Sequence, residues 1–379
     1  MAVTGTRADW GLLRPVLRSL RQHNHITVRL AMTGQHLVDQ NSSIDIIRSD
    51  GFHIDDVVDM GLGGEDSGQA VGEAMGRGLT GFATLYGNQK PDLILILGDR
   101  YEALSAASAA LVARIPIAHI AGGDVTEGAF DDAIRHAITK IASLHFTTNL
   151  QARQRIIQMG EEPDRVFATG SPGIDAIMEI PRIPRSELLA DIGLPRDVGP
   201  FALATFHPAT LSDDNELQCG ELLRALDYFP DLAIVFTGSN ADPGARAVER
   251  QIMSWVDKRP NAVFHASLGS RRYFSALAVA DLVIGNSSSG LYEAPTFGIP
   301  TVNIGDRQAR RPRAISVVDC IAVQSEIIVA LKKALKLTFP GGVENPYGDG
   351  QASQRIAGIL AGISNPASLV RKSFRDSFE

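Results

Sequence analysis

Two α/β domains, each a parallel sheet with helices on both faces, are what this sequence predicts. Three observations lead there. Short apolar runs alternate with longer helical patterns, the pattern weakens in a proline-rich stretch near the middle, and then it starts again. With 379 residues, 44% of them hydrophobic, the chain is long enough to bury two cores.

In the first half, strands are expected near residues 2–3, 26–32, 93–97, 117–120 and 144–147. Helices are expected after Trp10, across the alanine-rich stretch 101–112, and over 130–141. The stretch SPGIDAIMEIPRIPRSELLADIGLPRDVGP holds five prolines, which remove backbone donors and interrupt regular elements. It is read as the connection between a first domain over 1–175 and a second over 195–350. The second series runs FALATFHP, LAIVFTG, NAVFHAS, ADLVIGN and IPTVNI. Each run has the length of a buried strand and leaves room for a helix before the next. The last stretch, 351–379, has a helical apolar pattern and is expected to pack back on the first domain.

The balance of charge excludes some functions. A formal charge of −7, from 43 acidic and 36 basic residues, argues against a nucleic-acid surface. No apolar run is long enough to span a bilayer, and the start, MAVTGTRADWGLLRP, lacks a basic leader, so a soluble cytoplasmic protein without a membrane partner is expected. Cys219 and Cys320 form neither a disulfide framework nor a metal cluster, and both are expected to be buried. Without HExxH or a cysteine pair, no metal is expected. GLGGED, Gly61 to Asp66, does not fit GxGxxG, and a Walker loop is absent, so no dinucleotide or other cofactor is expected.

Chemistry concentrates where strands end, because open α/β sheets bind ligands at the carboxyl ends of their strands. In VTGTRADWG, Gly5 permits close approach, Thr6 can cap a helix, and Arg7 can meet a phosphate or carboxylate or simply belong to a turn. Asp99, closing DLILILGD, is either a helix cap or an active-site carboxylate. In GGDVTEGAFDDAIRH, Gly122 and Gly123 let the chain pass beside a ligand, Asp124 follows as a candidate for binding substrate, and Asp131 and Asp132 open a helix. The fourfold spacings Asp131–Arg135 and Asp132–His136 let each pair share a face, with His136 in a supporting or substrate-binding role. His119 is expected to be half-buried on its strand.

The second half offers anion-binding features. His207 ends the FALATF strand and can donate to a phosphate, and Asn240 ends the next polar turn. Ser287, Ser288, Ser289 and Gly290 form a turn whose successive amides suit a diphosphate, unless the serines merely cap the helix. Glu293, one turn into that helix, can accept ribose hydroxyls. Arg271, Tyr273 and Phe274 can approach phosphate and cover a base, although core packing explains Phe274 equally well. The basic run RQARRPR, 307–313, lines a cleft mouth or is a solvated surface.

Taken in order, VTGTRADWG, TGQHL, LGDRYEAL, GGDVTEGAFDDAIRHAITK, QMG, ATGSPGID, FHPAT, GNSSSGLYEAP and GIPTVNIGDRQ resemble the hydrolysing UDP-N-acetylglucosamine 2-epimerase family of sialic and legionaminic acid biosynthesis. The resemblance implies two Rossmann-like domains in a glycosyltransferase-B-like arrangement with an active-site cleft between them, a UDP-sugar substrate, and no redox cofactor. Self-association into a homo-oligomer is compatible with it. Residue by residue, it implies Arg7, Asp99 and Asp131 at the reaction centre, His207 near the diphosphate, and Ser288, Ser289 and Glu293 around phosphates and ribose. The implied reaction is elimination of UDP to a glycal and hydration to N-acetylmannosamine.

One departure stands out. Members acting on UDP-N-acetylglucosamine resemble HIEGGE where this chain has HIAGGD, with Ala121 in place of the glutamate. Hydrolytic 2-epimerisation of UDP-N,N'-diacetylbacillosamine is therefore an alternative, with a nucleotide-sugar glycosyltransferase and a nonenzymatic nucleotide-sugar sensor as readings from other classes.

Overall fold

In β-strands successive side chains point to opposite faces, and the buried runs of this chain divide accordingly. In Ile94–Leu97, Ile94 and Ile96 enter one apolar cluster with Phe82, Tyr86 and Ile138, while Leu95 enters another with Trp10, Leu13 and Phe146. Both faces of the strand are covered by helices, so the run is apolar throughout instead of alternating. The computed structural model describes all residues except 39, 64–66, 127–129, 209–213, 239–244 and 377–379, and omits the side chains of 40–42.

The chain divides into two compact units, Met1–Met178 with Tyr347–Glu379, and Glu179–Pro346. The first holds β1 (Ala2–Thr4), β2 (Leu30–Thr33), β3 (Asp56–Val58), β4 (Ile94–Leu97), β5 (Ile117–Ile120), β6 (Leu144–Thr147) and β7 (Val166–Ala168). They form a seven-stranded parallel sheet in the order β3-β2-β1-β4-β5-β6-β7. The second unit holds β8 (Phe201–Thr205), β9 (Ala233–Thr237), β10 (Ala262–His265), β11 (Leu282–Gly285), β12 (Thr301–Ile304) and β13 (Val317–Cys320), in the order β10-β9-β8-β11-β12-β13, again parallel. Strand order reverses at β1/β4 in one sheet and at β8/β11 in the other. At such switch points the outgoing loops part and leave a crevice.

Several elements differ from the sequence reading. The first helix, Arg7–Leu20, starts before Trp10, because Thr6 and Asp9 form a reciprocal capping box. The proline-rich stretch carries two helices, Pro172–Glu179 and Arg185–Asp191. Pro172 opens one and Pro184 caps the other, positions where the missing N–H is not needed. Cys219 is buried as expected, but Cys320, on an edge strand, is only half-buried. His119 is fully buried. No described helix is long and apolar enough to cross a membrane.

The last stretch of chain is fastened to the first unit. Ala352–Ala361 is helical, its first amides, Ala352 and Ser353, donate to the Asp175 carboxylate at 3.2 and 2.7 Å, and Ile356 joins the Trp10 cluster. Further on, Lys372 donates to the Ala142 carbonyl at 2.6 Å and pairs with the buried Glu161 at 2.8 Å, which also receives Lys140 at 2.6 Å and His145 at 3.1 Å. Burial alone would raise the Glu161 carboxyl, but these three donors outweigh it and hold the group at about 2 against an ordinary 4.5.

A depressed carboxyl pKa adds stability above the unfolded value and loses it as pH falls through the folded one. The Glu161 contribution, about 3 kcal/mol from the size of the shift, should therefore be complete above pH 4.5 and vanish towards pH 2. Urea unfolding of Glu161→Gln should show a deficit at pH 7 that narrows across that window. A deficit independent of pH would mean that packing, not charge, dominates.

Candidate functional site

At the carboxyl end of β1, Thr6 has an extended backbone, accepts from the Asp9 amide at 3.2 Å, and leaves Arg7 as the first, exposed residue of the helix. Across the switch point, Gly98 adopts a left-handed φ of 82° and turns the chain into Asp99. Asp99 caps no helix. The following helix, Tyr101–Val112, begins after Arg100 without a side-chain cap, and the Asp99 carboxylate instead pairs with the buried Arg135 guanidinium.

Arg135 organises this end of the unit. It also donates to Asp132 at 3.2 Å, to the Asp124 carbonyl at 3.0 Å and to Thr126 at 3.1 Å. The expected Asp131–Arg135 pairing does not form, because the guanidinium is drawn inward to Asp99 and Asp132. Asp131 opens the helix Asp131–Ile141, half-buried, and its carboxylate makes no hydrogen bond or ion pair among the described residues. His136 stands 3.5 Å from Asp132, as the spacing predicted.

The loop between β5 and that helix is braced from within. The Asp124 carboxylate accepts from Thr148 at 2.9 Å and Asn149 at 3.1 Å, so these contacts face the end of β6. A Cβ on Gly122 would lie 2.8 Å from both the His119 ring and Thr139, and one on Gly123 would lie 2.6 Å from the Ala152 carbonyl. These glycines are required by the protein's own packing. Between them and β5 sits Ala121, a non-glycine residue at φ 63°. Such backbone is strained, and strain of this kind clusters at functional sites.

In the second unit, Asn286 after β11 fixes the end of β8. Its side-chain oxygen accepts from the His207 amide and its nitrogen donates to the His207 carbonyl, both at 2.7 Å. The Asn286 carbonyl in turn accepts from Gln308 at 2.8 Å and Arg307 at 3.3 Å. His207, mostly buried, is thus held at the β8/β11 switch point. Asn286 was not singled out from sequence, although it directly precedes the serines.

The serine turn is tighter than expected. Ser289–Tyr292 is a helix of only four residues, so Glu293 falls at its end instead of one turn in. The serines do not act as a side-chain cap: Ser288, at the N-cap, makes no cap bond and its hydroxyl has no partner among the described residues. The Ser287 hydroxyl accepts from the Ser289 amide at 3.4 Å, Tyr273 hydrogen-bonds Ser289 at 2.5 Å, and Ser289 reaches Glu293. Burial pushes the Glu293 carboxyl above its ordinary range, against the opposing Ser289 bond, and burial also raises the Tyr273 hydroxyl. A Cβ on Gly290 would meet Thr301 at 2.6 Å, so this glycine serves packing on β12. Phe274 packs on the core beside Tyr273, and exposed Arg271 leans on the Pro181 carbonyl at 3.4 Å. Asn240 lies outside the described residues.

Interleaved helices and two parallel sheets, with polar groups gathered at both switch points, define an α/β protein of the two-Rossmann-sheet class. The chain belongs to the UDP-N-acetylglucosamine 2-epimerase family, whose description matches residues 18–361. It is 33% identical, over 98% of its length and 97% of the relative's, to UDP-N,N'-diacetylbacillosamine 2-epimerase (hydrolyzing) of Legionella pneumophila. It is 36% identical to polysialic acid biosynthesis protein P7 of Escherichia coli, covering 91% of this chain and 89% of that one. In fold it is similar to the crystal structure of UDP-GlcNAc 2-epimerase from Neisseria meningitidis bound to UDP-GlcNAc, with a TM-score of 0.76 at 21% identity, covering 95% and 98% of the two chains.

Close packing at the second switch point is directly testable. A Cβ on Gly285, at φ 129°, would lie 1.9 Å from the Thr205 carbonyl oxygen, whereas one on Gly305, at φ 76°, would have nothing nearer than 3.9 Å. Gly285→Ala should cost more than about 3 kcal/mol in urea unfolding and Gly305→Ala about 1 kcal/mol. Equal losses would show that left-handed backbone strain, and not the close approach, is the constraint.

Proposed function

We propose that this chain is a hydrolysing UDP-sugar 2-epimerase that converts UDP-N-acetylglucosamine to UDP and free N-acetylmannosamine without a metal or redox cofactor. The observation that carries this reading is the contrast between two carboxylates of the first unit, Asp99 tied to a buried guanidinium and Asp131 without a bond among the described residues. A carboxylate without internal partners can take up a proton, and a pinned one can orient the group that exchanges it.

In this account, Asp131 removes the proton from sugar C2. The C1–O bond breaks, its electrons leave with UDP, and a C1–C2 glycal remains. Water then adds its oxygen to C1, and a proton returns to C2 on the opposite face, giving the inverted free sugar. Asp99 orients or assists the proton transfers. Arg7 and His207 neutralise charge on the departing diphosphate, which grows in the transition state and repays fixed donors most there. Ser287, Ser288 and the amides towards Ser289 and Gly290 receive phosphate oxygens. Glu293, held by Ser289, receives the ribose, and Tyr273 supports that carboxylate. Arg271 adds a positive charge on the nucleotide side, while Asp124 and His136 support the acidic loop. The reading places the protein in the cytoplasm, where nucleotide sugars are made.

A second substrate is favoured by Ala121. Its methyl group cannot transfer a proton and leaves space beside the sugar, and the Legionella relative is named for UDP-N,N'-diacetylbacillosamine. The two UDP-sugars compared at equal concentration decide this point. A higher kcat/KM on the diacetamido sugar selects the second substrate, and equal or better use of UDP-N-acetylglucosamine excludes it.

Asp99→Asn and Asp131→Asn should bind UDP as the wild type does and lose at least about 100-fold in kcat. Titration calorimetry with UDP and steady-state release of UDP measure both properties. Turnover within a fewfold of wild type in either variant removes that carboxylate from the mechanism.

A further inference from the structure

The turn that delivers Arg7 is built around a second acidic residue. Asp9 lies in the first turn of the helix Arg7–Leu20, and its carboxylate accepts from the Thr6 amide at 3.1 Å, as in any capping box. It does more than a cap requires. The same carboxylate accepts from the Gly5 amide at 2.9 Å and from the Thr4 hydroxyl, so its donors come from three consecutive residues leading to Arg7.

Neighbouring strand ends support this turn. His36, wholly buried after β2, places Nε2 3.0 Å from the Thr4 hydroxyl oxygen. The Thr4 hydrogen is given to Asp9, so the oxygen accepts, and His36 must carry its proton on Nε2. Burial, and then the Arg7 charge, hold the His36 pKa down at about 4, so the ring is neutral at working pH and the guanidinium stands near it. From the β4 side comes Glu102, also buried and paired with Arg100 at 3.1 Å. A Cβ on Gly5 would lie 3.7 Å from both the Asp9 and Glu102 carboxyl groups, and one on Gly34 would lie 2.8 Å from Glu102.

Two carboxylates packed about one glycine repel and are poorly solvated. Burial first, and Glu102 after it, push the Asp9 carboxyl up. A helix start alone does not call for this cost, since an exposed glutamate in the first turn would cap equally well. The arrangement is accounted for if the turn itself has to be held in one geometry at the switch point.

We propose that Asp9 is a positioning residue for Arg7: by gathering Thr4, Gly5 and Thr6 around one carboxylate, it sets where the guanidinium meets the leaving diphosphate. This rests on the role given to Arg7 above. Displacing a charge-stabilising group by about 1 Å costs on the order of 100-fold in rate, so the turn has leverage on catalysis without touching substrate.

A double-mutant cycle in the full-length protein tests this, with kcat on the UDP-sugar that the wild type turns over, UDP affinity and Tm measured in parallel. Asp9→Asn should lower kcat at least about tenfold and leave UDP affinity within about twofold. Arg7→Ala should be slow, and the double variant should match Arg7→Ala alone, since a misplaced group and a missing one are lost once. Thr6→Ala, which removes the cap bond and spares the other Asp9 contacts, should lower Tm with little loss of kcat. Losses that multiply in the double variant, or Thr6→Ala as slow as Asp9→Asn, overturn the proposal while Arg7 keeps its role. Wild-type turnover by Arg7→Ala overturns the role of Arg7 itself. If Asp9→Asn does not fold, Thr4→Val enters the same cycle, with a smaller loss that must likewise vanish in the Arg7→Ala background.

Discussion

A guanidinium moved out of water costs several kcal/mol unless its donors find acceptors, and Arg135 meets that demand with two carboxylates, a hydroxyl and a backbone carbonyl. Those acceptors come from the end of β4, from the loop after β5 and from the helix that carries Arg135 itself. One side chain therefore locks three segments that would otherwise move separately. The lock also divides the acidic residues: Asp99 and Asp132 share the Arg135 guanidinium, and Asp131 has no partner among the described residues. Asp124 gives its carboxylate to Thr148 and Asn149 and so adds rigidity to the loop after β5.

The second unit reaches similar rigidity through a neutral amide at its centre. Asn286 holds both backbone groups of His207, and its own carbonyl is held by Gln308 and Arg307. A neutral amide is suited to this place, because a carboxylate beside the serine turn would repel the diphosphate assigned to it. Glu293 meets that difficulty differently: burial raises its pKa and so disfavours the charged form, against the opposing bond from Ser289. The two switch points thus share a topology and differ in the groups that brace them, carboxylates around Arg135 in one and the Asn286 amide in the other.

Much of the fold was legible because buried parallel strands are continuous apolar runs; ILIL, FALAT and AIVFT need no partner to be recognised. The short edge strands β3, β7 and β13 were not, since DVV, VFA and VVDC are too brief or too polar to stand out from loops. Prolines misled in the connection, where they start helices instead of ending them. At the sites, strand-end position identified Arg7, Asp99 and His207 as candidates, but spacing could not choose partners. A fourfold interval permits Asp131–Arg135, and only the tertiary position of Asp99 draws the arginine elsewhere. Glycine is ambiguous in the same way: Gly122, Gly123 and Gly290 answer to neighbouring side chains and backbone that local spacing does not reveal.

If the reaction runs through a glycal, a proton leaves C2 and another returns to its opposite face. Proton NMR of the products formed in D2O from the UDP-sugar tests it most directly. The expected products are UDP and a free sugar of inverted C2 configuration carrying one deuterium at C2. A free sugar that keeps both its C2 configuration and its C2 hydrogen, or a sugar transferred to an acceptor, would contradict it.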